Sequence, residues 1–509
     1  MEILLHRFIF NPQQKTFCFL SCNHTPKPVS RKTQFTIAAC FLFLGILMLW
    51  IYKFPFLHLP FFWDEAWSYA PAISTMYKNH PCLLPGCLPA DLYRGHPLWF
   101  YFMNATVAKI FGFSPLVMHV FSLIIASAFL VAFFFILQQY TMPVFALLGT
   151  LLLLSQDAFI VQSSFMLPEI FISMLIMLAV FFLVTGRNVL YFLSATLLVL
   201  TKESGLVIIS ALVFAAFIGL IKQQMKGSKK SLSSVVKYLF LISSPLLIGI
   251  AFYVFQKRTY GWYFYPLHIQ MMNFNLEAIW QDVLLIRVFV FLGYGRKILV
   301  VLLGLIIILL IFYGRRLKTS ISPGIIKITW SMLTLFAFYV FFSATNYLML
   351  RYLIPLIVIF IFLLTIWGNQ LHQWGFRLLP YLFCVVIALS LYHDYTFEPS
   401  WIDDVSLNYK DDVVVDQQAV SFMENRQAQS KKILIHSLSA YNFTHPELFY
   451  LHGPSFKNVS LDSLLKSADY YIFSNLNTSY YDYVKSNDSL QLIKRFEKGK
   501  AWCEIYERK

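Results

Sequence analysis

The chain has 509 residues, of which 58% are hydrophobic and only 13% charged, with a mean hydropathy of +0.64. A soluble globular protein has about 25% charged and about 45–50% apolar residues, so that class is excluded. The formal charge of +15 does not indicate a nucleic-acid partner. The basic residues fall in short loops between apolar runs, as at Lys226, Lys229 and Lys230 and again at Arg315, Arg316 and Lys318, which is the pattern of the positive-inside rule.

In chain order, residues 1–35 are polar and basic (Arg7, Lys15, Lys27, Arg31, Lys32). No small-residue cleavage site follows, so the first apolar run, about Thr36–Tyr52, is expected to stay as a signal anchor. A polar and aromatic first external loop covers 53–97. The seven cysteines are too scattered for a disulfide scaffold or zinc site, except that Cys82 and Cys87 lie close together in this loop, as a small disulfide or as two free thiols. Leu98–Phe113, interrupted by Asn104, Lys109 and Gly112, reads as an interfacial helix. Apolar runs then cover about Leu116–Leu137, Val144–Ser155, Phe165–Val184, Val189–Leu200, Gly205–Ile221, Tyr238–Phe255, Ile298–Phe312, Ile328–Phe342, Leu350–Trp367 and Leu378–Leu391.

The fold class expected is an α-helical polytopic membrane protein with about eleven transmembrane helices, N-terminus inside and C-terminus outside. This count puts the loops at Arg187, Lys222–Lys237, Arg315–Lys327 and Gly368–Arg377 inside, where the positive clusters belong. It puts 53–97, 156–164, 201–204, 256–283 and 343–349 outside. The membrane region is taken as 36–394. Residues 395–509 change character, with strand-like runs at Lys432–Ile435 and Tyr470–Phe473 and helix-like segments at Val414–Gln429 and Leu461–Ser467. They predict a small extracytoplasmic α/β domain. Its Asn-x-Ser/Thr triplets, at Asn442, Asn458, Asn477 and Asn487, matter only in a host that glycosylates them.

Ionisable groups against hydrocarbon are costly, which makes each a functional candidate. Asp64 and Glu65 follow the first span in an aromatic segment, Phe61-Phe62-Trp63-Asp64-Glu65-Ala66-Trp67. Two adjacent carboxylates at a membrane-side cavity suit a general base; the plainer reading is a solvated helix start with interfacial aromatics. Arg94 and His96 offer a cation and an imidazole, although a lone His is more often structural. Asp157 and Glu169 flank the next external turn, and Glu169, opening an apolar run, is the more expensive. Lys202 either pairs with Glu203 alone or offers its charge to a phosphate. Arg258 begins the following outer loop, which contains His268, and Arg351 opens a later span from the same side. Carboxylates beside a ring of cations at one face suit an anionic lipid-phosphate donor and a hydroxyl or amine acceptor.

Together, the acidic pair, His96-Pro97-Leu98, Leu167-Pro168-Glu169, Thr201-Lys202-Glu203-Ser204-Gly205 and Arg351-Tyr352-Leu353-Ile354-Pro355 resemble the GT-C glycosyltransferases. The likeness is to the branch of protein O-mannosyltransferases and lipid A aminoarabinose transferases, and it covers about residues 36–360. It implies inverting transfer of a sugar from a polyprenyl-phosphate donor at the outer face of the membrane, a bacterial plasma membrane in this reading. The acceptor is a lipid, glycan or protein. By the same resemblance Asp64 is the base with Glu65 beside it, Glu169 is the acid of the second loop, and Lys202, Arg351 and Arg258 lie near the donor phosphate. His96 matches a family His-Pro-Pro-Leu, with Leu98 standing where the second Pro would be. Some members bind a divalent metal and others none; His268 and His96 are the ligand candidates here, without a clean ligand set. Two rival readings are a lipid or sugar flippase, and a non-catalytic relative in envelope assembly. Against the first, no internal repeat is visible and the charges cluster at one surface rather than the midplane.

Overall fold

A computed structural model of the chain describes residues 30–225, 231–292, 296–313, 321–396, 404–435, 439–460, 468–475, 487 and 489–509. The basic clusters at 226–230 and 314–320, residues 1–29 of the N-terminal basic segment, the helix-like segment 461–467 and Asn477 lie outside these residues.

Each of the eleven apolar runs falls on a helix, but the helices are of two kinds. Six are long and apolar enough to cross a bilayer: Arg31–Phe56, Pro115–Gln138, Ser204–Met225, Ser233–Tyr260, Pro323–Ala344 and Leu350–Gln373. A bent pair, Leu276–Leu292 with Lys297–Phe312, makes a seventh if taken as one broken span. Four others, Pro143–Leu154, Glu169–Thr185, Asn188–Val199 and Leu379–Tyr392, are apolar but shorter. Twelve residues of helix rise about 18 Å, well under a hydrocarbon core of about 30 Å. Among the described residues, helix length therefore supports six or seven full-length spans. Residues 98–113 form the 13-residue helix Trp99–Phe111, also too short to span upright. The chain is an integral membrane protein.

Local sequence accounts for where these helices start. Ser114 accepts from the Val117 N–H with Pro115 in the first turn, and Ser322 accepts from the Ile325 N–H with Pro323 behind it, both favourable caps. Phe43, Met48 and Ile51 on the first span are widely exposed, as side chains facing lipid should be. Among the short helices, Pro143–Leu154 lies against the last long span at Gly149, where an added Cβ would collide with Thr365. Small residues permit such close helix contacts in membranes. Asn188–Val199 and Ser204–Met225 form a tight hairpin in the same way: a Cβ on Gly205 would strike the Leu198 carbonyl. The hairpin carries Lys202 and Glu203 at its tip.

The C-terminal part contains the helix Tyr409–Asn425 and a five-stranded sheet of β1 (Lys432–Ile435), β2 (Asn458–Ser460), β3 (Tyr470–Ser474), β4 (Leu490–Lys498) and β5 (Ala501–Arg508). The order is β2-β1-β3-β5-β4; β1 runs parallel to β2 and β3, and β5 antiparallel to β3 and β4. The expected strands are β1 and β3. The long hairpin β4–β5 had no signal in the sequence pattern. This part is seated on the membrane region: the Phe61 N–H donates to the Leu448 carbonyl at 3.4 Å, Tyr409 packs edge-on against Phe165, and Gln162 donates to the Asp404 carbonyl.

Candidate active site

A cavity of about 790 Å³ opens where the loop after the first span, the hairpin tip, the 262–271 segment, the 342–352 turn and the C-terminal part meet. Of the residues expected from sequence, Asp64, Arg94, His96, Lys202 and His268 line it. Glu65, Asp157, Glu169, Arg258 and Arg351 do not.

Asp64 owes its place to an unusual stretch of backbone. Trp63 has a φ of +54°, a conformation costly for a bulky residue, and Glu65–Tyr69 form a π-helical turn, a feature frequent at functional sites. The two adjacent acids consequently separate. Asp64 accepts from the indole N–H of Trp67 and borders the cavity. Glu65 turns the other way and is fully buried. It accepts from the Phe62 N–H at 3.2 Å and from the Met166 N–H at 2.5 Å, and His119 Nε2 lies 3.3 Å away. Glu65 straps the turn before Glu169 to the loop that follows the first span.

Behind Asp64 lies a buried charge network. Arg351, 1% exposed, donates from Nη2 to Asp64 Oδ2 and from Nη1 to Asp404 Oδ2, and its Nε is 3.7 Å from Glu169 Oε1. Lys202 Nζ donates to the same Glu169 oxygen at 3.0 Å and sits 3.7 Å over the Tyr352 ring. Three carboxylates thus face two cations, which makes the desolvated cluster affordable only as a whole. The pairing of Lys202 with Glu203 that the sequence offered gives way to a pairing with Glu169. Burial opposes the charge on Lys202, but Tyr352, Glu169 and Glu203 outweigh it and raise its pKa, so it is a fixed cation at the cavity wall. Arg94, with a left-handed φ of +54°, stacks on Trp67 at 3.5 Å and supplies the second cation.

The other expected residues sit elsewhere. Asp157 lies 3.6 Å from Arg296 and bonds the Ala158 N–H at 2.7 Å at the start of a short helix. Arg258 is exposed in the last turn of its helix, where a cation suits the helix dipole.

On the far side of Lys202, His96 Nδ1 is 2.7 Å from Glu203 Oε2, and His268 Nδ1 is 3.7 Å from Glu203 Oε1. Burial pushes the Glu203 carboxyl up, yet His96 and His268 hold it down at about 2. Burial and the neighbouring His96 push the His268 imidazole down to about 4. Sequence reasoning missed Trp67, Tyr352 and the C-terminal contributors Asp404, Tyr441 and His445, the last two also in the cavity wall. An Arg with three buried carboxylates has no local signature, and Tyr441, in the short helix Ala440–Thr444, and His445, just past its end, have no chemistry written into their spacing.

No protein-family model matches the chain, and no curated protein matches it. Among solved structures it resembles ArnT from Cupriavidus metallidurans in the apo state, with a TM-score of 0.54, 11% identity, and coverage of 92% of this chain and 98% of that one. ArnT from the same organism bound to undecaprenyl phosphate gives a TM-score of 0.54 and 12% identity over the same shares. At that identity the likeness is one of fold, and it is the fold expected from the GT-C resemblance.

Proposed function

We propose that this chain is an inverting glycosyltransferase that moves a sugar from a polyprenyl-phosphate donor to a nucleophilic acceptor at the outer membrane face. The observation that carries this reading is the cavity wall itself. Asp64, clamped from behind by Arg351, faces a space whose wall also holds the cations Lys202 and Arg94. The like-folded ArnT was solved with undecaprenyl phosphate, which supports a donor of that class here. The proposed orientation, cytoplasmic N-terminus and external C-terminal domain in a bacterial plasma membrane, rests on the charge pattern of the loops.

In this reading the acceptor hydroxyl or amine attacks the anomeric carbon from the face opposite the phosphate. The C–O bond to phosphate breaks, and the departing polyprenyl phosphate takes the bonding pair. Lys202 and Arg94 stabilise the charge that grows on its oxygens. Phosphate leaves without a proton, so no second carboxylic acid is needed, unlike in glycoside hydrolysis. Asp64 receives the acceptor's proton as the new bond forms. Arg351 and Glu169 then act behind the surface: Arg351 orients Asp64, and Glu169 orients Lys202. Arg351, named for the phosphate on resemblance, is better used as this clamp, because it is buried under carboxylates. Arg258 has no part in the cavity.

Asp64→Asn should abolish transfer of a labelled sugar from a synthetic polyprenyl-phosphate donor while folding and membrane insertion are kept. A loss of at least about a hundredfold is expected for removal of a positioned base. Wild-type rates in that variant would remove Asp64 from the role, and donor translocation without any transfer would favour the flippase.

A further inference from the structure

We propose, on the transfer reading above, that Tyr441, His445 and Trp67 form an acceptor subsite for a sugar ring, which makes the acceptor a glycan. The cavity wall is of two kinds. Leu267, Met271 and Leu348 make one stretch of it apolar, and Leu267 and Tyr347 there are widely exposed, as apolar and tyrosine side chains are at a bilayer edge. That stretch suits the prenyl chain of a donor. Elsewhere the wall is aromatic and polar, and its rings come from two parts of the chain. Trp67 belongs to the π-helical turn after Asp64, and Tyr441 and His445 belong to the C-terminal part.

These three rings are half-buried and pack on one another. The Tyr441 and His445 centroids lie 5.0 Å apart at an interplanar angle of 33°, and Tyr441 meets Trp67 edge-on at 6.4 Å. A pyranose has apolar C–H faces and a rim of hydroxyls, so flat rings take its face and nearby polar groups its rim. Groups for the rim are present in the His445 imidazole, the Tyr441 hydroxyl and Asp91, which is exposed at the same cavity. The Trp67 N–H donates to Asp64, so a sugar bound on these rings stands next to the proposed base. Among the described residues lining the cavity none lies on a strand, and the wall gives an extended peptide no sheet edge to pair with.

The platform is held from behind. Asp416 accepts from Ser439 Oγ at 2.9 Å and from Asn442 Nδ2 at 2.7 Å, which ties down the helix carrying Tyr441. Thr444 Oγ1 lies 2.8 Å from His445 Nδ1. Phe443 on the same helix packs on Phe456 at 5.3 Å, and Phe449, further along, packs edge-on against Phe61, just ahead of Asp64. Rings on such supports bind a ligand with little ordering to lose.

Sugar binding is read without turnover, so wild-type rates in Asp64→Asn would remove the transfer reading and leave the sugar site standing. The purified full-length chain, in a detergent without a sugar headgroup, is titrated with the methyl glycosides of glucose, galactose, mannose and N-acetylglucosamine. Saturation-transfer difference NMR is the readout. The proposal expects saturable binding of at least one glycoside, with transfer strongest to the C–H protons of one ring face. Tyr441→Ala and His445→Ala should each weaken it about tenfold, and Tyr441→Phe should stay within about twofold, with the thermal transition unchanged in all three. Binding should persist when a non-transferable phosphonate analogue of a polyprenyl-phosphate sugar is already bound. Displacement by that analogue would assign the rings to the donor's own sugar and overturn the proposal. So would a failure of every glycoside to bind saturably, alanine variants that bind as the wild type does, or an equal loss in Tyr441→Phe and Tyr441→Ala. Binding of an acetylated serine amide or of glycerophosphoethanolamine that the same alanine variants abolish would overturn it in favour of a peptide or a lipid acceptor.

Discussion

Arg351 joins carboxylates that are far apart in the sequence, and that makes Asp404 the most testable residue in the molecule. Asp404 is 3% exposed, bonds Arg351 through its side chain, and accepts from Gln162 through its backbone, yet it is absent from the cavity wall. Its effect on chemistry must therefore pass through Arg351 and Asp64. Replacing it by Asn leaves the Gln162 bond in place and removes one of the three negative charges that share the guanidinium. Arg351 should then bind Asp64 and Glu169 more tightly and pull the proposed base back from the acceptor. The expected result is a fall in kcat of about tenfold, the scale of a small misplacement of a reacting group, with KM for the donor unchanged. Stability should fall by roughly 1–3 kcal/mol for a loosened buried charge network. An equal rise in KM would instead mean that Asp404 shapes donor binding. The sequence announced Asp64, Lys202 and Arg351 because charge beside apolar runs is conspicuous. It did not announce Asp404, because an Asp in a polar segment looks like any other until the fold buries it.

At the level of elements, the hairpin 188–225 shows why motif and architecture coincide. Thr201-Lys202-Glu203-Ser204-Gly205 is legible as a polar tip between apolar runs, and the structure adds the reason for its glycine. The backbone of the second helix approaches the Leu198 carbonyl so closely that a methyl group has no room. Gly205→Ala should force the two helices apart at the tip and move Lys202 relative to Glu169, from which it is 3.0 Å. Overpacking of this kind costs about 1–3 kcal/mol, visible as a lower thermal transition of the detergent-solubilised protein. Transfer should drop as well, and an alanine variant with unchanged stability and rate would show that the helices part without consequence. The strands β4 and β5 were illegible for the opposite reason. In Leu490–Lys498 four charged residues (Lys494, Arg495, Glu497 and Lys498) dilute the apolar alternation, and the register shifts between Leu492 and Lys494. What holds the hairpin in the sheet is the pairing of β5 with β3, which is non-local.

For the whole molecule, composition led to the expectation of a lipid-facing bundle and a polar C-terminal part, whereas the seating of Tyr409 and Asp404 against the helices had no signal in it. That part contains a pair of acids outside the membrane region, one helical turn apart on Tyr409–Asn425 and both buried: Asp412 and Asp416. Burial pushes Asp412 up to about 8, with Asp416 and Asp411 adding to the effect and Asn475 opposing it. Burial pushes Asp416 up to about 7 against hydrogen bonds from Ser439 and Asn442. An unfolded chain releases these protons near an ordinary Asp value of about 3.9. Between about pH 4 and pH 8 the folded domain therefore holds protons that the unfolded one has lost, so raising the pH across that window favours unfolding. The domain should be most resistant at acid pH, lose stability steadily up to about pH 8, and change little beyond it. Hydrogen exchange at the amides of β3 and β5, corrected for the intrinsic dependence on pH, reads this directly in the full-length protein. Asp412→Asn should flatten the slope, because its buried Oδ2 has no bonding partner among the described residues and an uncharged amide removes the titration. A slope of the opposite sign in the wild type would mean that both carboxylates are ionised in the folded domain and that its stability rests on them as charges.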